Sequence, residues 1–230
     1  MFEHPDVIAL LLTLKLSAIT TIILLIICTP IAWWLAHWQS KAKFIVEAVI
    51  TLPLVLPPTV IGFYLLIAFA PNSGLGQLWQ SITGSQLAFS FSAIVIGSLF
   101  YSLPFVVQPL QRAFEQLGTE LLEAGAMLNA SKWDQFFSIV LPLTKPSFIT
   151  ASTLGFAHTI GEFGIVLMIG GNIPGETRVL SLALFDHVEA FEYQQAHTLA
   201  ISLLVGCFAL LTFVGFINRK SASTDKVSRI

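Results

Sequence analysis

Residues 7–35 read VIALLLTLKLSAITTIILLIICTPIAWWL, and Lys15 is the only charged residue among them. At 1.5 Å per residue, a helix of this run exceeds the ~30 Å hydrocarbon core of a bilayer. A helix that is apolar all round belongs in lipid or in a very large protein interior. Four further apolar runs follow, at about 44–70, 87–110, 147–169 and 199–217, each long enough to span. The whole chain agrees with this reading. Of its 230 residues, 55% are hydrophobic and 10% are charged, against about 25% charged in soluble domains, and the mean hydropathy is +0.82. A soluble fold of this size would need a largely apolar exterior. Disorder requires low hydrophobicity, and β-barrel strands alternate apolar with polar residues. The sequence therefore predicts an all-α, polytopic membrane protein with about five transmembrane helices.

The basic residues orient it. Lys41 and Lys43 follow the first run, Arg112, Lys132 and Lys145 lie between the third and fourth, and Arg219, Lys220, Lys226 and Arg229 follow the fifth. These are nine of the eleven lysines and arginines, and they mark the cytoplasmic side. The N-terminus is then outside and the C-terminus inside, with Lys15 snorkelling outward. A single transmembrane domain is expected over residues 1–220, with a polar cytoplasmic tail at 221–230. The N-terminus carries acids and lacks the basic region of a cleavable signal, so the first span is expected to stay in the mature protein. The outer segment at 182–196, LALFDHVEAFEYQQA, reads as a short surface helix.

Several functions are excluded by what is missing. There is no GxxxxGK[ST], HExxH, GxSxG or CxxC, so neither phosphate cradling nor the usual metal or nucleophile chemistry is expected in this chain. No cofactor or metal is expected. Cys28 and Cys207 sit in apolar runs and read as small hydrophobes. No basic patch with interleaved aromatics points to nucleic acid.

The longest inner loop, about 111–145, is the one cytoplasmic segment with enough polar helix formers to fold outside the bilayer. Its core, residues 123–142, reads EAGAMLNASKWDQFFSIVLP. Residues 119–128 favour helix, and Asn129 tolerates the left-handed conformation that ends one. Ser131 with Asp134 is a capping-box variant opening a second helix, and Pro142 and Pro146 are expected to end it. Trp133, Phe136 and Phe137 beside Lys132, Asp134 and Gln135 make that helix amphipathic. It suits either a groove on another protein or the membrane surface.

This segment resembles the cytoplasmic signature of bacterial ABC-importer permeases, EAA, three residues, G, nine residues, I-x-LP. Glu123, Ala124, Ile139, Leu141 and Pro142 match, while Gly125 stands for the second Ala and Asn129 for the Gly. The runs TLPLVLPPTVIGFYLL (51–66), FSAIVIGSLFYSLPFVVQPLQRAF (91–114) and FAHTIGEFGIVLMIGGNIPGETRVLSLALFDHVE (156–189) are similar to molybdate (and tungstate) permeases. Sulfate and thiamine permeases are the nearest relatives of that group. The resemblance implies a type I importer permease (MetI-like) fold in the bacterial inner membrane, working as a homodimer by alternating access. It further implies two ATP-binding subunits, which carry the ATP and Mg, and a periplasmic or extracellular molybdate-binding protein. The loop would dock on the ATP-binding subunit through Glu123, Ala124, Gly125, Asn129, Ser131, Lys132, Trp133, Phe136, Ile139, Leu141 and Pro142, with Trp133 and Phe136 as anchors.

Within the spans, Pro53, Pro57 and Pro58 must break or kink the second helix, as a pathway hinge or as a packing kink. His158 and Glu162 share a face of the fourth span, with Glu162 about 22 Å from residue 147. They are expected to pair with each other, or Glu162 to cap a neighbouring helix near an outer gate, or the two to form a structural polar pair. Thr150 and Gly161, with Ser147 and Ala157, line the pathway or pack helices closely; Ser98, Tyr101, Ser102 and Pro104 read the same way. Other readings are a permease for sulfate or another small substrate, a gradient-driven carrier with Glu162 relaying protons, and an intramembrane enzyme using His158 and Glu162.

Overall fold

The computed structural model describes residues 4–227, with side chains over 5–216, and contains no strand among them. Eleven helices follow in order: α1 (His4–His37), α2 (Lys43–Val55), α3 (Pro58–Phe69), α4 (Gly74–Thr83), α5 (Phe91–Leu117), α6 (Glu120–Met127), α7 (Lys132–Gln135), α8 (Leu141–Ile160), α9 (Gly164–Gly170), α10 (Leu180–Glu189) and α11 (Tyr193–Val227). Three are long and apolar enough to cross a bilayer unaided: α1, α5 and α11. The second and fourth expected spans are bent pairs, α2 with α3 at 107° and the helix from Lys132 to Ile160 with α9 at 60°. Counting each pair as one span gives five.

The first break follows from its prolines. A residue before proline is driven from the helical region into extended backbone. Leu56 (ψ 138°) precedes Pro57, and Pro57 (ψ 135°) precedes Pro58, so two extended residues occur in succession. Pro58 then opens α3, where its missing N–H costs nothing. Pro53 stays inside α2. The second break, at 161–163, contains no proline; Gly161 caps α8 and Phe163 leaves helical geometry (φ −127°, ψ −57°) before α9.

Two sequence expectations are corrected. Pro142 and Pro146 do not end the second loop helix. A π-helical stretch, Phe136–Val140, carries α7 into α8 without a stop. Its wider turn absorbs the register that a proline disturbs, and Pro142 falls in the first turn of α8. The outer surface helix over 182–196 is divided: α10 stops at Glu189, and Phe191 takes a left-handed φ of 61° before α11 begins.

The core sits where α1, α5 and α8 pack together. Leu24, Cys28, Val106, Leu110 and Ala151 fill one half, and Leu16, Ile94, Ile165 and Ile169 the other, where α9 joins. Gly155 lets α8 come close to α5, since a Cβ there would come within 2.8 Å of Val106. Near the start of α1, Asp6 accepts from His187 Nε2 (3.1 Å), whose Nδ1 meets Glu192 (2.7 Å). Arg178 pairs with Asp186 at 3.0 Å. On the opposite side Lys43 joins α2 to α5 through Glu115 (2.8 Å), and Gln111 donates to Glu47 (2.6 Å). Large apolar side chains stay exposed along α2, α3 and α11, among them Val55, Phe63 and Phe208, a surface suited to lipid.

Candidate functional site

The two broken helices meet. A Cβ on Gly164, the first residue of α9, would lie 2.8 Å from Pro58 Cβ, and one on Gly62 would lie 2.8 Å from Met168 Cβ. Only glycine allows α3 and α9 this proximity, so the proline break and the GEFG break form one junction. Broken backbone at membrane depth is tolerated where it faces protein or a water-filled cavity, and in transporters such breaks mark binding sites.

Glu162 stands in the second break and is 3% exposed. The buried Ser98 hydroxyl of α5 stands beside its carboxylate, and no other hydrogen-bond partner reaches either oxygen among the described residues. The backbone carbonyl of Glu162 accepts from Ser181 Oγ at 2.6 Å, tying the break to α10. The expected pairing of Glu162 with His158 does not form. His158 turns to α5 instead: its Nδ1 lies 2.9 Å from Ser102 Oγ, and its ring stacks on Phe105 (centroids 3.9 Å) beside Tyr101 (4.7 Å). Ser102 also meets Thr159 Oγ1 at 3.0 Å. Helix geometry explains the difference, because Glu162 lies past the end of α8, where the four-residue spacing no longer holds side chains on one face. Phe105 escaped the sequence reading. Its signal was the spacing Ser98, Ser102, Phe105, which places all three on one stripe of α5. Pro53 and Pro58 are half-buried, and Pro57 and Gly161 are exposed. Thr150 Oγ1 donates to the Pro146 carbonyl at 3.0 Å, inside α8.

The elbow forms a second site. α6 ends at Met127; Asn129, two residues on, adopts φ 59°, and the Ala130 N–H returns to the Gly125 carbonyl (3.1 Å). Ser131 Oγ caps the next helix by accepting the Asp134 N–H (3.1 Å), and Gln135 Nε2 locks the corner by donating to the Ala130 carbonyl (3.0 Å). Gly125 is where the two arms touch: a Cβ would meet Ile139 Cδ1 at 3.0 Å and Gln135 Cγ at 3.3 Å. Alanine there would force those side chains to give, which is a physical reason for glycine at that position. Leu141 begins α8 and Pro142 follows it. Glu123, Ala124 and Lys132 are exposed.

The apolar residues of the elbow divide into two sets. Met127 (87% exposed), Leu128 (84%) and Trp133 (75%) project outward, with Phe137 stacked on Trp133 (centroids 6.2 Å). Phe136 faces inward, edge-on to Trp33 of α1 (6.3 Å) and packed on the core. Of the two anchors expected, the structure leaves Trp133 available and buries much of Phe136. Met127 and Leu128 were missed; their signal was position, just before the left-handed corner.

Residues 28–223 match the family described as binding-protein-dependent transport system inner membrane component. The chain belongs to that family. Members of this permease family are transport components of a membrane, not enzymes, and the helices described above are those of a multi-pass membrane protein. The chain is 56% identical over 209 residues to the molybdenum transport system permease protein ModB of Azotobacter vinelandii, covering 91% of this chain and 92% of that one. It is 34% identical over 213 residues to ModB of Escherichia coli (strain K12), covering 92% and 93%. The sulfate transport system permease protein CysT of the same bacterium is 32% identical over 221 residues, covering 96% and 79%. The permease fold recurs in solved transporters. A bacterial ABC transporter involved in import of the acidic polysaccharide alginate superposes with TM-score 0.77 at 16% identity, covering 95% of this chain and 80% of that one. Inward-facing MetNI, a methionine ABC transporter, gives 0.70 at 15% identity, covering 95% and 99%.

Proposed function

We propose that this chain is the membrane-spanning permease subunit of an ATP-driven importer for molybdate, and that tungstate shares the route. The single observation that carries the substrate is 56% identity, spread over 91% of the chain, to a molybdenum transport permease. Two copies surround a pathway on a two-fold axis, in a bacterial inner membrane, with the N-terminus outside and the C-terminus inside. The junction of the two broken helices, with Pro58, Glu162 and Gly164, works as the hinge of the pathway. Two ATP-binding subunits dock below, on the elbow face of Met127, Leu128 and Trp133. A molybdate-binding protein delivers substrate from above. A bare carboxylate repels an oxyanion, so Glu162 serves the hinge, and selectivity rests with the binding protein.

Uptake of labelled molybdate by vesicles holding the permease, its ATP-binding partner and the binding protein tests the substrate. Molybdate should accumulate, excess tungstate should compete, and equal sulfate should not. Accumulation of sulfate in place of molybdate would move the chain to the sulfate branch, whose permease is 32% identical.

A further inference from the structure

An apolar groove of about 1050 Å³ runs between α1 and the continuous helix that carries the elbow. On α1 it extends from Leu25 to His37; Phe136, Val140 and Phe148 bound the facing wall. Leu25 to His37 is a rise of about 18 Å, close to one leaflet of a ~30 Å hydrocarbon core. Among the described residues, the ionisable ones lining it are Lys132 and His37. They mark its cytoplasmic end, where Trp33 also stands, the level at which tryptophans favour headgroups. His37 Nδ1 donates to the Trp33 carbonyl (2.9 Å). Lys132 pairs with no carboxylate among the described residues. The groove is thus one leaflet long, apolar along its length, and carries an uncompensated cation at headgroup depth.

We propose that this groove holds one phospholipid with an anionic headgroup, drawn from the cytoplasmic leaflet. One of its acyl chains lies along Leu25, Thr29 and Phe148, and its phosphate meets Lys132. The lipid wedges α1 against the elbow and sets the angle at which the elbow leaves the bilayer. The inference uses the membrane placement of the helices and not the transported substrate, so it can fail while the molybdate assignment holds.

The test is native mass spectrometry of the full chain, extracted in mild detergent from vesicles of equal phosphatidylglycerol and phosphatidylcholine. One lipid per chain should be retained, with phosphatidylglycerol favoured about fivefold, the worth of one lysine near an anionic surface. Lys132→Gln should retain a lipid but bring the two headgroups to near parity. Ile26 lines the groove and is exposed, so Ile26→Trp fills it without disturbing the core, and most of the lipid retention should be lost. Equal retention of both lipids by the unaltered chain, an unchanged preference in Lys132→Gln, or full retention in Ile26→Trp would overturn the proposal. So would disulfide formation between two Ile26→Cys chains in the bilayer, which would seat a second copy in the groove.

Discussion

Glu162 is a buried carboxylate with the Ser98 hydroxyl beside it and no cation paired with it among the described residues, and a group held at that cost is expected to gain partners in another conformation of the hinge. Glu162→Ala removes those partners. Transport is expected to fall about tenfold or more, the effect of ~1.4 kcal/mol on a rate-limiting rearrangement, while the subunits still co-purify. Glu162→Gln keeps hydrogen-bonding capacity and should be milder. Uptake assays on both variants decide it, and wild-type uptake in Glu162→Ala would dismiss the residue from the hinge. In α10, between the candidate spans, His187 sits between Asp6 and Glu192. Burial lowers its pKa, but the hydrogen bonds and charges of Glu192 and Asp6 outweigh burial and raise it above the usual 6.5. Because the folded value is the higher one, this clasp contributes fully below about pH 6.5 and fades as pH rises through the raised value. The difference in thermal midpoint between the unaltered protein and His187→Gln should therefore be largest near about pH 5.5 and shrink toward about pH 9. A difference that grows with pH would reverse the assignment.

At the scale of elements, helix–helix contacts with no room to spare predict which changes hurt. Gly164→Ala places a methyl 2.8 Å from Pro58 and is expected to destabilise by about 1–3 kcal/mol through overpacking, read as a lower unfolding midpoint. Trp133→Ala and Leu128→Ala are expected to weaken association with the ATP-binding partner by about 1–3 kcal/mol each, leaving the unfolding midpoint alone. Phe136→Ala should do the reverse, costing about 2 kcal/mol of fold stability, because its ring packs on Trp33. Co-purification and thermal scans, run side by side, separate the two sets. Much of this was legible in the sequence. The apolar runs, the proline break at 57–58, the Asn129 corner and the Ser131 cap each follow from a local chemical rule. The facing of the helices was not, because in a membrane both lipid-facing and protein-facing positions are apolar. Leu24 is buried and Ile26, two residues on, is exposed, with nothing in their hydropathy to tell them apart. The inward turn of Phe136 and the parting of His158 from Glu162 were hidden for a related reason. Each depends on which neighbouring helix stands opposite, and that is a long-range contact with α1 or α5.

At the scale of the whole molecule, two devices stand at opposite ends of α8: the junction of broken helices and the elbow. The helix from Lys132 runs unbroken through the π stretch to Ile160, so a push on the elbow is carried as rigid-body motion to the residue before Gly161. That continuity is the physical basis for coupling in the proposed importer. It is also why the expected proline stop mattered: a break at Pro142 would have uncoupled the two ends. The orientation proposed from the basic residues carries its own check. Single cysteines at Asn72 and Glu192 should label from outside, and those at Lys41 and Lys132 from inside; labelling of position 192 from the cytoplasm would refute it.

The measurement that tests the central claim most directly is molybdate uptake into proteoliposomes that contain the permease, its ATP-binding subunit and the binding protein, with and without ATP on the cytoplasmic side. Uptake should require ATP, and binding protein should stimulate hydrolysis. Replacing Leu128 and Trp133 together with alanine should abolish both uptake and that stimulation. Molybdate accumulation driven by an ion gradient without ATP, or undiminished coupling in the double variant, would contradict the account.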